Sequence, residues 1–239
     1  MRGRSVARTS IAAKGGSMNR EFIDQLLDTT ERVLAGGAIG GNGHGNVSVR
    51  PSGADEMYVT SASSLRGLTA AGIARVRLDG TLIEGQLPPL QGAVVDMHLA
   101  RYRASDEVGC VLHTHSPFAT AFAVAQRPIE CWIEALAMFG LADGVPVAGY
   151  APRGSAEALA SIDAALLPGV PAVLLANHGV LVFHRTPELA ILVSGVVEEA
   201  AQAALNASLL GGPVLIPEDM RAAALQRAMA FAAAGTRKA

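Results

Sequence analysis

Cys110-Val111-Leu112-His113-Thr114-His115 decides how this chain reads. An apolar run ends in two histidines spaced i and i+2. In a strand, side chains two apart share a face, so both imidazoles can reach one ion. A second apolar run, Pro171–Ala176, ends in Asn177-His178-Gly179. Three of the six histidines thus stand at the ends of two buried-type strands. Three protein ligands with one position left open is the arrangement of a catalytic zinc site, not a structural one. The plainer alternative is three unrelated polar residues at strand ends.

Outward from these strands the chain alternates between two periods. Phe22, Leu26, Leu27 and Val33-Leu34 recur at helical spacing, and Gly36-Gly37 stops them. Val47 and Val49 alternate with polar neighbours, as in a strand. Strands are expected at Met57–Thr60 and Ala74–Leu78, with a turn at Asp79-Gly80. Helices are expected over Val94–Arg103 and Phe118–Ala125, a strand at Val145–Val147, and a helix over Ser155–Leu167 with Ser155 as its N-cap. Val180–Phe183 reads as a strand, Pro187–Leu210 as a long Ala-rich helix, and a last helix starts at Pro217. Interleaved strands and helices without an internal repeat predict a single α/β or α+β domain, a mixed sheet with helices on its faces. Residues 1–17 carry Arg2, Arg4, Arg8 and Gly15-Gly16 but no apolar core of a secretory signal. They read as a disordered extension before a domain over 18–239.

Composition removes several function classes. The chain has 239 residues, 50% hydrophobic and 17% charged, so it is built to bury a core. Lys+Arg number 19 against 21 Asp+Glu, and that balance does not suit nucleic acid as a partner. Apolar stretches such as Ala190–Val197 break well before the ~18 residues of a membrane span. Cys110 and Cys131 cannot build a disulfide framework, which points to the cytoplasm. The only lysines, Lys14 and Lys238, lie near the chain ends. Schiff-base catalysis and a phosphate-binding P-loop both need a lysine elsewhere. For a carbon–carbon bond enzyme with this sequence, a metal is the favoured electron sink.

Other motifs read less sharply. Gly41-Asn42-Gly43-His44-Gly45-Asn46 lies between a helix and a strand, the reverse of a dinucleotide fingerprint. It is a backbone-lined ligand loop or a flexible connector. Thr60-Ser61-Ala62-Ser63-Ser64 is a hydroxyl-rich turn able to hold a carboxylate or phosphate, or simply a turn. Glu130 and Glu134 sit in the apolar stretch Ile129–Leu141. Burial there raises a carboxyl pKa toward general acid/base use; exposure or a salt bridge leaves it ordinary. Cys110 reads as a packing residue.

Taken in order, Gly45-Asn46-Val47-Ser48-Val49-Arg50, Leu78-Asp79-Gly80, His98 with Tyr102, His113-Thr114-His115-Ser116-Pro117 and Asn177-His178-Gly179-Val180 resemble the class II aldolase/adducin family. The resemblance runs from about Met18 to Leu210. It implies a three-layer α/β/α fold with a mixed, largely antiparallel central sheet, and a homotetramer with active sites at subunit interfaces. It implies a divalent metal, zinc first and manganese, cobalt or iron after it, held by His113, His115 and His178. It also implies cleavage beside a substrate carbonyl through a metal-stabilised enediolate. The favoured reaction is retro-aldol cleavage of a hydroxy-ketone of sugar or sugar-phosphate type. Decarboxylation of a β-keto or hydroxy-aromatic acid is the alternative; epimerisation and a non-catalytic adducin-like role rank lower. Where family aldolases carry a glutamate, an ungapped count places Val94 here. Asp96, two helical residues on, is expected to face elsewhere. The same count places Glu134 at the family's catalytic tyrosine, which a neighbouring subunit supplies. The family's phosphate contacts map onto Gly45, Asn46, Thr60, Ser61 and Ser63. Its serine pair is missing, which favours an unphosphorylated substrate.

Overall fold

The computed structural model describes residues 18–236. The extension expected over residues 1–17 lies outside them. Helix α1 (Arg20–Ala35) opens on Asn19, whose side chain accepts from the Glu21 N–H at 3.0 Å. A meander follows: β1 (Gly45–Val49), β2 (Glu56–Thr60), β3 (Ile73–Arg77) and β4 (Leu82–Glu84). Then come α2 (Gly92–Ala104), β5 (Cys110–Thr114), α3 (Pro117–Ala125), α4 (Glu134–Met138), β6 (Val147–Ala148) and α5 (Ala156–Ala165). The chain ends with β7 (Ala172–Leu175), β8 (Gly179–His184), α6 (Pro187–Ser208) and α7 (Glu218–Thr236).

The strands form one sheet in the order β4-β3-β2-β1-β5-β8-β7-β6, antiparallel except at the β6–β7 pair. Strand alternation sends side chains to two cores. Cys110, Leu112, Val180 and Val182 pack with residues of α1, α3 and α6 on one face. Val111, Val173 and Leu181 pack with Val95, Leu99 and Tyr102 of α2 and Ile162 of α5 on the other. Helices thus cover both faces, giving the expected α/β/α layering. His113 follows Val111 by two, so its side chain belongs to the α2/α5 face.

Short elements depart from the reading of the sequence. β4 is a three-residue edge strand with no full period to read. β6 is shifted: Val145 forms only an isolated bridge with Ile129, and the strand begins at Val147. The stretch Ile129–Leu141 contains the five-residue helix α4. The long elements match to within a few residues, including the Ser155 cap, whose hydroxyl accepts from the Ala158 N–H at 3.1 Å.

Candidate active site

β5 and β8 pair antiparallel with His113 opposite Leu181, so the end of β5 lies beside the start of β8. The turn from β7 to β8 supplies the third histidine. Asn177 sits there at φ +57°, the left-handed conformation asparagine tolerates, with its side chain accepting from the Gln126 amide at 3.1 Å. His178 comes next, then Gly179. A Cβ on Gly179 would lie 2.5 Å from the Thr114 carbonyl oxygen and 3.2–3.3 Å from both His115 and His113 rings. Gly45 is equally constrained, its Cβ position 2.6 Å from the His113 carbonyl oxygen. Both glycines let backbone pass where the imidazoles crowd.

The three histidines converge. Their ligand nitrogens all lie within 4.8 Å of one another. His113 Nδ1–H donates to the Val180 carbonyl at 2.9 Å, which fixes the tautomer and leaves Nε2 with a free lone pair. That Nε2 stands 3.2 Å from His115 Nε2. Nitrogens about 2.0–2.1 Å from a tetrahedral ion are separated by about 3.3 Å, so this spacing fits. Burial pushes the pKa of all three histidines down; His178 reaches about 4, lowered further by His115 and Arg153. All three are therefore neutral donors at pH 7, as ligation needs. These residues fit a divalent ion.

A cavity of about 280 Å³ opens beside the cluster. Its lining includes Val94, Asp96, Met97, His113, Arg153 and His178. Asp96 lines the same cavity as Val94, contrary to the expectation from helical spacing. Both are reached because the cavity covers a wide arc of the first turn of α2, taking in Ala93, Val94, Asp96 and Met97. Arg153, which the sequence reading passed over, donates to His178 Nε2 at 3.1 Å. Nothing local in the sequence marks it. The long turn from β6 to α5 brings it there.

A buried polar chain supports β1 from behind. His98 Nε2–H donates to Asn46 Oδ1 at 2.5 Å, His98 Nδ1 accepts from Ser48 Oγ at 2.6 Å, and Ser48 Oγ accepts from Tyr102 at 2.7 Å. Burial holds the His98 pKa at about 3, so the ring is neutral. The sequence grouped His98 and Tyr102 with the site motifs but gave no hint of this linkage.

Of the other sequence-derived candidates, Asn46 is buried opposite His113. The Thr60 hydroxyl accepts from the Val47 N–H at 3.1 Å and so helps hold β1 to β2. Ser61 is buried and Ser63 exposed. Gly45, Asn46, Thr60, Ser61 and Ser63 do not line the cavity with His113 and His178. Glu130 and Glu134 are exposed in the protomer, so the desolvated alternative does not hold within one chain. Glu134 opens α4 and stands outside the histidine cavity.

The fold and this cluster define an α/β/α protein with three converging histidines that could hold a metal ion. Residues 25–205 match the class II aldolase and adducin N-terminal domain. The 5-methylthioribulose-1-phosphate/5-deoxyribulose-1-phosphate aldolase of Rhodospirillum rubrum is 32% identical over 196 residues, covering 81% of this chain and 85% of its own. The L-fuculose phosphate aldolase of Escherichia coli K12 is 30% identical over 201 residues, covering 84% and 88%. Among solved structures, an L-fuculose 1-phosphate aldolase superposes with a TM-score of 0.75 at 24% identity, covering 87% of this chain and 96% of its own. The chain belongs to the class II aldolase/adducin family and is an aldolase-type lyase.

Proposed function

We propose that this chain is a divalent-metal-dependent carbon–carbon lyase that cleaves a hydroxy-ketone of sugar or sugar-phosphate type by a retro-aldol step. The convergence of His113, His115 and His178 as three neutral donors carries this reading. Zinc is the first choice, because an all-imidazole set with an open position suits it. When bound, the ion supplies Lewis acidity for negative charge developing on a substrate oxygen. His113, its ring fixed by Val180, and His178 would hold the ion beside the cavity they line. The apolar wall of Val94, Met97 and Ile162 would limit water there. Asn46, its Oδ1 occupied by His98, keeps its amide N–H groups for substrate. Gly45, Thr60, Ser61 and Ser63 are proposed to bind the substrate's far end with it. Glu134 is the proposed acid/base. It is exposed and outside its own chain's cavity, so it acts on a neighbour's site in a homotetramer. A groove lined by Phe122, Trp132 and Leu205, beside exposed Leu209 and Leu210, offers apolar surface for such contacts. Both cysteines are free and buried, in keeping with a cytoplasmic protein, and no helix among the described residues is long and apolar enough to cross a membrane.

Decarboxylation is the second reading. It is favoured by the absence, among the described residues, of any carboxylate from the histidine cluster and by Arg153 in the cavity lining.

Metal content by mass spectrometry tests the proposal. Wild type should hold about one divalent ion per chain, and His113→Ala should lose it. Loaded wild type should then release an aldehyde from a hydroxy-ketone, or carbon dioxide from a keto acid. No ion in wild type, even after added zinc, manganese or cobalt, would overturn the reading.

A further inference from the structure

Charge is unbalanced at the histidine cluster. The three ligands are neutral, and no carboxylate of the described residues stands within ligand distance of them. Arg153 adds a positive charge from the turn between β6 and α5, its guanidinium 3.1 Å from His178 Nε2. Among the described residues Arg153 forms no ion pair within 4.0 Å. Asp96 is the one carboxylate lining the cavity, and it is exposed.

The Arg153 contact uses the His178 lone pair. An ion taking that same nitrogen would displace the guanidinium and set two like charges near one another. The exposed N–H fork so released would then be free to take an anionic acceptor in the cavity. An anionic group lying between the ion and Arg153 would satisfy both. A carboxylate suits that place, since its two oxygens match the planar fork of a guanidinium. A phosphate dianion needs more donors than one arginine offers, and the adjoining walls, with Val94, Met97, Leu159 and Ile162, are apolar.

We propose that the substrate is a 2-oxo carboxylic acid with a hydroxyl at C4, its carboxylate bound by Arg153 beside the three-histidine centre and its carbon chain in the apolar cavity. This rests on the metal-lyase reading above and exchanges its sugar-type ketone for an oxo acid. Arg153 is then the residue that selects acids over neutral hydroxy-ketones, and the substrate brings the negative ligand that the protein lacks. Such a substrate is cleaved by the retro-aldol step: the C3–C4 bond breaks, the C4 end leaves as an aldehyde after its hydroxyl loses a proton, and the enolate of the 2-oxo acid takes a proton at C3; simple 2-hydroxy acids serve only as binding analogues.

Cobalt-loaded protein gives a test that needs no turnover, because ligands that approach the ion alter its visible absorption. Wild type, Arg153→Met and Arg153→Lys are titrated with 2-hydroxyhexanoate, with 1-hydroxy-2-hexanone and with inorganic phosphate. The acid should bind wild type about tenfold or more tightly than the ketone. Arg153→Met should weaken the acid about tenfold or more and leave the ketone within about twofold, with Arg153→Lys between. Equal weakening of acid and ketone, or none of the acid, would overturn the proposal. Phosphate that binds wild type more tightly than the acid and is lost in Arg153→Met would overturn it in favour of a phosphorylated substrate. Failure of wild type to retain cobalt would sink the metal reading itself and this inference with it, an outcome visible before any titrant is added.

Discussion

Gly179 is the residue on which the geometry of the cluster turns. It is the only kind of residue that fits, because a methyl there meets the Thr114 carbonyl at 2.5 Å and two imidazoles at 3.2–3.3 Å. The backbone oxygen cannot yield without disturbing the β5–β8 pairing that aligns His113 with Leu181. Gly179→Ala should therefore cost stability, about 1–3 kcal/mol as overpacking does, and weaken metal retention more than it lowers the unfolding midpoint. Calorimetry together with metal content after dialysis checks this. A variant that keeps its ion and its melting temperature would show that β8 shifts freely. The motif Asn177-His178-Gly179 was legible as a unit for this reason. Each member has a local duty: a left-handed turn, an imidazole in the cluster and a close approach. Arg153 has no local duty, and so a reading by spacing passes it by.

Between elements, the chain Asn46–His98–Ser48–Tyr102 ties β1 to α2 through fully buried groups. His98 stays neutral because burial pushes its pKa down to about 3, whereas an exposed histidine titrates near 6.5. Between those two values the unfolded chain binds the extra proton. The contribution of neutral His98 is whole above pH ~6.5 and is lost as pH falls toward 3. The urea midpoint of the metal-free protein should fall between pH 7 and pH 4.5, and His98→Gln should flatten that slope while lowering stability overall. An unchanged slope in His98→Gln would show that other groups set the acid response. At this scale the sequence was informative wherever a period had room to repeat. α1 and α6 were legible because several turns share one buried face, and β5 and β8 because an unbroken apolar run marks a strand buried on both faces. β4, β6 and α4 were not, because two to five residues carry no period and their place is set by tertiary contacts. Asp96 lines the cavity with Val94, two residues before it, because the cavity covers a wide arc of the first turn of α2. Helical spacing gives a direction around the axis but not the width of a cavity.

At the scale of the whole molecule, Glu134 is the residue that a single chain cannot explain. It caps no cavity of its own and faces solvent at the start of α4. In the proposed homotetramer it reaches a neighbour's histidines, so each active site needs an intact metal cluster from one chain and an intact Glu134 from another. That arrangement has a quantitative consequence. His113→Ala and Glu134→Gln should each be inactive alone, the first without metal and the second with its metal retained. Mixed in equal amounts and allowed to exchange subunits, random pairing leaves both intact parts at about a quarter of the interfaces, so up to about a quarter of wild-type activity should return. Size-exclusion chromatography with light scattering establishes the assembly before the mixing. Recovery that scales with subunit exchange supports a shared site. No recovery from fully exchanged, metal-loaded mixtures would place both functions in one chain and return Glu134 to the surface role that its exposure in the protomer describes.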